Sequence, residues 1–232
     1  HGSGGLVFSL VLAAVIILVV GVVFVEQGQR RIPVQYAKRM VGRRQYGGSS
    51  TYLPLKVNQG GVIPVIFASS LIYMPVLITQ IVNSGSPTPP DNWWQRNVIQ
   101  YLQTPSSWQY IVLYFVLIIF FSYFYVSVQY DPAEQAENMK KYGGFIPGIR
   151  PGRPTAEYLG YVMNRLLFVG ALYLGVIAIL PNIMLDFGVS ARAGSSTPFG
   201  GTAILIMVSV ALTTVKQIES QLLQSNYEGL LK

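Results

Sequence analysis

The chain has no cysteine, one histidine and few charges. Without cysteine there is no disulfide and no thiolate metal site. The histidine is His1, so the interior offers neither an imidazole base nor a thiol nucleophile, and the common catalytic pairs are excluded. Charged residues make up 11% of the 232 positions, where a soluble globular chain carries roughly a quarter. Acids are scarcer than bases, 9 against 16, and none lies inside a long apolar run. That removes the carboxylates on which proton relays and ion-coupled carriers depend. The Gly-Gly pairs at 47–48 and 143–144 are not followed by Gly-Lys-Ser/Thr, so no phosphate-cradling loop is present. No enzyme, cofactor or metal is expected.

What fills the chain instead is apolar sequence, 51% of all residues, arranged in uncharged runs. Leu6 to Val25 is the first, and at about 1.5 Å per residue it matches the ~30 Å hydrocarbon core. A signal-peptide core is shorter than this, so a span is expected. Further spans are expected at 62–82, 110–128, 158–180 and 199–215, the last being the least apolar and therefore suited to a bundle interior. Pro64 and Pro75 fall in the second, where proline frees carbonyls that need partners within protein or a wet cavity. Arg165 stands near the start of the fourth, close enough to its end to reach back to the headgroups. Residues 1–5 read as a cleavage scar or the end of an external loop.

The stretches between spans are uneven in charge. Residues 26–58 carry seven bases and one acid, Glu26. There the alternation of Ile32, Val34 and Tyr36, and of Leu53, Leu55 and Val57, around Gly42, Gly47, Gly48 and Ser49 predicts a β-hairpin. Residues 83–107 hold Trp93, Trp94, Val98, Tyr101 and Leu102, spaced for a short interfacial helix. Residues 129–157 form a second polar loop, 182–198 a short external connection, and 216–232 a polar amphipathic helical tail. The loops after spans one and three, with the tail, hold thirteen Lys/Arg against two, Arg96 and Arg192, on the other side. The positive-inside rule makes the basic side cytoplasmic. The net charge of +7 is thus read as topology before nucleic-acid binding. Five spans then put the N-terminus outside with no span before it, as expected of a piece of something longer.

In Gly143-Gly144-Phe145-Ile146-Pro147-Gly148-Ile149-Arg150-Pro151-Gly152-Arg153-Pro154, glycine and proline restrict the backbone to turns. Such turns present Arg150 and Arg153 to carboxylates or phosphates. Three stretches of the sequence also carry a resemblance: Glu26-Gln27-Gly28-Gln29-Arg30-Arg31-Ile32-Pro33-Val34; Thr51-Tyr52-Leu53-Pro54-Leu55-Lys56-Val57-Asn58 with Val62-Ile63-Pro64; and Phe145 to Gly152. In order and spacing they closely resemble the SecY family, the central subunits of bacterial protein-conducting channels. The similarity covers the family's C-terminal half, spans six to ten.

The resemblance implies an all-α membrane protein, with five transmembrane helices forming one half of an inverted-repeat channel and a cytoplasmic β-hairpin loop. It implies passage of unfolded polypeptides across the bacterial inner membrane and of membrane segments into it. The pore ring would take Ile66, from the motif Val62 to Ser70, and Ile206, from Gly201 to Ile206, because branched apolar side chains dewet a constriction. Spans two and three would form half of a lateral gate, bending at Pro64 and Pro75. Arg43 and Arg44 at the hairpin tip, with Lys140, Lys141, Arg150 and Arg153, would dock the SecA motor ATPase or the ribosome and its RNA. Further implied partners are the N-terminal half of the channel, SecE and SecG-type small membrane subunits, signal sequences, nascent polypeptides and lipid. The residues alone leave two alternatives, half of a secondary transporter or a pore-less membrane docking protein.

Overall fold

The computed structural model describes residues 2–36, 39–41, 44–46, 50–83, 93–104, 107–188 and 201–229. Helix α1 (Gly2–Glu26) leads into strand β1 (Gln29–Tyr36), a small ribbon of β2 (Arg39–Val41) and β3 (Arg44–Tyr46), and β4 (Ser50–Lys56). Helix α2 (Ile63–Asn83) follows. Next come a π turn (Gln95–Ile99) continuing into α3 (Gln100–Leu102), then α4 (Trp108–Gln129), α5 (Pro132–Lys141), β5 (Gly144–Phe145), α6 (Arg153–Gly188) and α7 (Gly201–Gly229).

Among the described residues, α2, α4 and α6 each carry a stretch long and apolar enough to cross a bilayer. Helices α1 and α7, of 25 and 29 residues, are the other two long helices. All five contribute to one core: Leu18 and Val22 from α1, Val65, Ala68 and Ile72 from α2, Tyr114 and Ile118 from α4, Leu174 and Ala178 from α6, and Val208 from α7. Close approach is set by small residues. A Cβ on Gly175 would overlap the Phe115 ring, so glycine there lets α6 lie against α4 without displacing that ring.

Polar ends are stabilised locally. Asp131 caps α5 by accepting from the Ala133 N–H at 2.8 Å, Pro132 takes the first position, and Lys140 and Lys141 close the last turn, where the helix dipole favours cations. Ser107 caps α4, accepting from the Tyr110 N–H.

The boundaries differ from the sequence reading in four places. Helix α1 already begins at Gly2, inside the stretch 1–5 read as a scar or loop end. Helix α6 begins at Arg153 and runs through Pro181 to Gly188, past the expected end of the fourth span at 180. The external connection expected at 182–198 is therefore helical in its first part, and 189–198 lies outside the described residues. Helix α7 continues unbroken from Gly201 to Gly229, so span and tail are one helix; no proline or glycine intervenes between its ends. The loop 129–157 is not irregular, because it contains α5 and β5.

The hairpin expected over 26–58 pairs β1 with β4 antiparallel, with Ile32 opposite Leu53 and Arg30 opposite Leu55. Its glycines lie outside the described residues, apart from the adjoining β2–β3 ribbon, in which Val41 faces Arg44. The second loop supplies a third strand. β5 pairs with the far end of β1, Gln35 opposite Phe145 and Tyr36 opposite Gly144, giving the order β4-β1-β5. A Cβ at Gly144 would come within 3.1 Å of the Tyr36 ring and 3.3 Å of the Val34 side chain, so glycine lets β5 dock. Under this sheet lies a second core of Ile32, Leu55, Val126, Ile146, Leu159, Val162, Met163 and Leu167.

Candidate functional site

Two regions concentrate polar groups, one on the sheet side and one between the sheet and the helix bundle. On the sheet side, the turn after β5 is held at both ends. The Ile149 N–H donates to the Ile146 carbonyl at 3.0 Å, and the buried Thr155 hydroxyl donates to the Arg150 carbonyl at 2.9 Å. Gly148 and Gly152 adopt φ of +84° and +105°, conformations that side chains strain against. The backbone at Arg150 is thus pinned while its side chain is exposed. Arg153 shares its charge with Glu157, one turn along α6, at 3.1 Å, and Lys141 does the same with Glu137 at 3.2 Å. Both pairs are solvent-exposed and contribute little stability. Lys140 is exposed at the end of α5. Among the described residues Arg150 has no carboxylate partner, so its guanidinium is available. Arg43 lies outside the described residues; Arg44 is placed in β3, opposite Val41, but its side chain is not described. Tyr130, at the end of α4, has its hydroxyl buried with no partner among the described residues, and burial pushes its pKa up.

The second region is a cleft of about 440 Å³ between the hairpin base and α7. Glu26, Asn58 and Gln59 line one wall and Ser209, Thr213 and Gln217 the other. Asn58 is 5% exposed; its amide donates to the Glu26 carboxylate at 3.0 Å and to the Gly61 carbonyl at 3.3 Å. One side chain therefore ties the end of α1, the end of the hairpin and the start of α2. The Gln59 Oε1 and Ser209 Oγ atoms are buried without partners among the described residues. Replacing Asn58 with alanine leaves the half-buried Glu26 carboxylate without this donor. We expect a loss of about 1–3 kcal/mol, read as a lower thermal midpoint of the full-length protein in detergent. Glu26→Gln, which keeps an acceptor, should cost less; equal losses would contradict the assigned bond.

Ile66 and Ile206 stand one turn beyond this cleft. Val62 and Ile63 of the α2 entry and Val210 of α7 line it, and one further turn along each helix reaches Ile66 and Ile206. Ile66 is 39% exposed and Phe67 beside it stacks on Phe121 at 5.7 Å between centroids; Ile206 is half-buried. Pro64 falls in the first turn of α2, where a missing N–H removes no helical bond. Pro75 is the interior proline, and the Thr79 hydroxyl donates to its carbonyl at 2.8 Å. Among the described residues no group of three or more His, Asp or Glu side chains could hold a metal.

The SecY family model matches residues 2–215. The chain belongs to the SecY family. It is 88% identical over 230 residues to the protein translocase subunit SecY of Corynebacterium glutamicum, covering 99% of this chain and 52% of that one. It is 66% identical over 232 residues to the SecY of Mycobacterium bovis, again covering 52% of that protein. The chain thus spans about half the length of the curated SecY relatives it matches. A solved protein conducting channel superposes with a TM-score of 0.62 at 22% identity, over 90% of this chain and 48% of that chain. A second SecY structure, from work on the plug domain, superposes equally well. These superpositions show the fold, and with the apolar helices they place a SecY-type chain in a membrane.

Sequence reasoning passed over the role of Asn58, although it stands at the end of a stretch that carried the resemblance. An asparagine directly before a span is the available signal. Gly170 of α6, where a Cβ would overlap the Val57 carbonyl oxygen, was equally silent, because a glycine in an apolar helix has no distinctive pattern until its neighbour is known.

Proposed function

We propose that this chain is the C-terminal half of a protein-translocation channel that passes unfolded polypeptides across, and membrane segments into, the bacterial inner membrane. The observation that carries the reading is one polar cleft lined by both α2 and α7, with Ile66 and Ile206 each one helical turn past its lining residues. A polar funnel above an apolar constriction suits a pore that excludes ions yet yields around a polypeptide. In this reading Pro75 is where α2 bends as a lateral gate opens, and Pro64, buried against the hairpin base, fixes the entry to the helix. The sheet, the end of α5 and the Arg150 turn form the cytoplasmic face, on which SecA or a ribosome docks. Arg43, Arg44, Lys140, Lys141 and Arg153 add positive charge to it. The N-terminal half, SecE and SecG-type subunits complete the channel, and no catalytic step is assigned to this chain.

The test is a photocrosslinker at Ile66 in the complete channel holding a stalled nascent chain. Crosslinking to the nascent chain is expected. Labelling at exposed Val128 but not at Ile66 would overturn the pore assignment.

A further inference from the structure

We infer that one face of α6, from Tyr161 to Val176, is a phospholipid site in which Arg165 holds the headgroup phosphate. Tyr161, Arg165, Phe168, Val169, Leu172 and Val176 recur at helical spacing and form one stripe. Every one of them is exposed or half-exposed. The other face, with Leu159, Val162, Met163 and Leu167, is the one buried under the sheet.

The depth of Arg165 follows from two contacts. Gly170 abuts the Val57–Asn58 backbone, just before α2 enters its apolar run at Ile63. Gly60, in the same connection, lies against Tyr125 near the end of α4. The hydrocarbon boundary on α6 therefore falls near Gly170. From there to Gly188 the helix spans about 27 Å at 1.5 Å per residue, close to one hydrocarbon thickness. Arg165 lies five residues, about 7.5 Å, outside that boundary. The polar layer on each side of a bilayer is roughly 5–8 Å deep, so the Arg165 backbone stands at its outer edge, with the phosphates within reach of the side chain.

The chemistry at that level is complementary. The Arg165 guanidinium carbon sits 4.5 Å from the Tyr161 ring centroid, a cation–π contact that holds it toward the outer end of the stripe. No carboxylate among the described residues pairs with it. A planar guanidinium at this depth binds a phosphodiester in bidentate fashion. Below it, Phe168 and Val169 stand at the boundary, and Leu172 and Val176 continue about 9 Å past Gly170, over half of one leaflet's ~15 Å of acyl chain. A cation above an apolar track has the order of a lipid, headgroup outside and chain inside.

The test uses the purified full-length channel and native mass spectrometry, with phosphatidylglycerol and diacylglycerol of matched chains as probes. The parent should retain phosphatidylglycerol and not diacylglycerol. Arg165→Gln should bind phosphatidylglycerol about fivefold more weakly with an unchanged thermal midpoint, since Arg165 is exposed, and Arg165→Lys should fall between. The inference is overturned if the parent retains no phosphatidylglycerol, as it would were the stripe covered by protein. Equal retention by parent and Arg165→Gln overturns it too. So does displacement of the lipid by inorganic phosphate at equal concentration, which would mark a site for free phosphate.

Discussion

Arg150→Glu should remove most motor-driven secretion while leaving membrane assembly intact. The turn around Arg150 is held by Thr155 and by two glycines at positive φ, so the guanidinium is presented without a large ordering cost on docking. Its neighbours Lys141 and Arg153 are already engaged with Glu137 and Glu157, whereas Arg150, like Lys140, has no carboxylate partner among the described residues and is left for an acidic motor surface. A charge-assisted bond lost and a repulsion gained amount to about 2–3 kcal/mol, or roughly 30- to 150-fold in affinity. The exposed side chain buries nothing, so expression and insertion should match the parent. The measurement is ATP-driven translocation of a secretory precursor into vesicles carrying the variant channel, against the variant's abundance in the membrane. Secretion equal to the parent would remove Arg150 from the docking face.

Gly170→Val should be the most damaging single change to the fold. A Cβ at this position overlaps the Val57 carbonyl oxygen and lies 3.6 Å from the Asn58 Cα. Those are backbone atoms, held by β4 on one side and by the Asn58 bonds to Glu26 and Gly61 on the other, and they cannot turn aside as a side chain would. Gly170→Ala gains about 1 kcal/mol of helix propensity and loses about 1–3 kcal/mol to overpacking, so its net effect is a modest loss. Valine adds two further methyls and a restricted χ1, and the loss should exceed about 3 kcal/mol. The expected result is a large fall in the thermal midpoint, with faster proteolysis of the hairpin than of the helices. A valine variant as stable as the parent would mean that the 57–61 connection is not wedged against α6.

Much of this architecture was legible because its physics is local. A run such as Leu6–Val25 must place every peptide group in an internal hydrogen bond if it enters lipid, and only a helix of that length does so. The alternation of Ile32 and Val34 in one strand and of Leu53 and Leu55 in the other likewise prefigured the hairpin, because a strand with one buried face must alternate. The Gly-Pro turn around Arg150 announced itself through residues with few allowed conformations. The boundaries were less legible. Pro181 ordinarily signals a helix end, yet α6 continues to Gly188, as packed membrane helices allow.

The sequence by itself determined the long apolar helices, the basic hairpin between two of them, and a glycine–proline turn that offers Arg150. Each follows from the composition and spacing of a single segment. Only the tertiary structure decided that the two loops form one sheet, through β5 docking on β1 where Gly144 leaves room beside Tyr36. It also decided that Asn58 fastens the hairpin to α1 and α2, and that α2 and α7 line one polar cleft. Apart from the short bond to Gly61, these relations join residues 32 or more positions apart, and no local propensity encodes them. They arise where backbones approach closely enough for one hydrogen bond or one missing Cβ to select the arrangement.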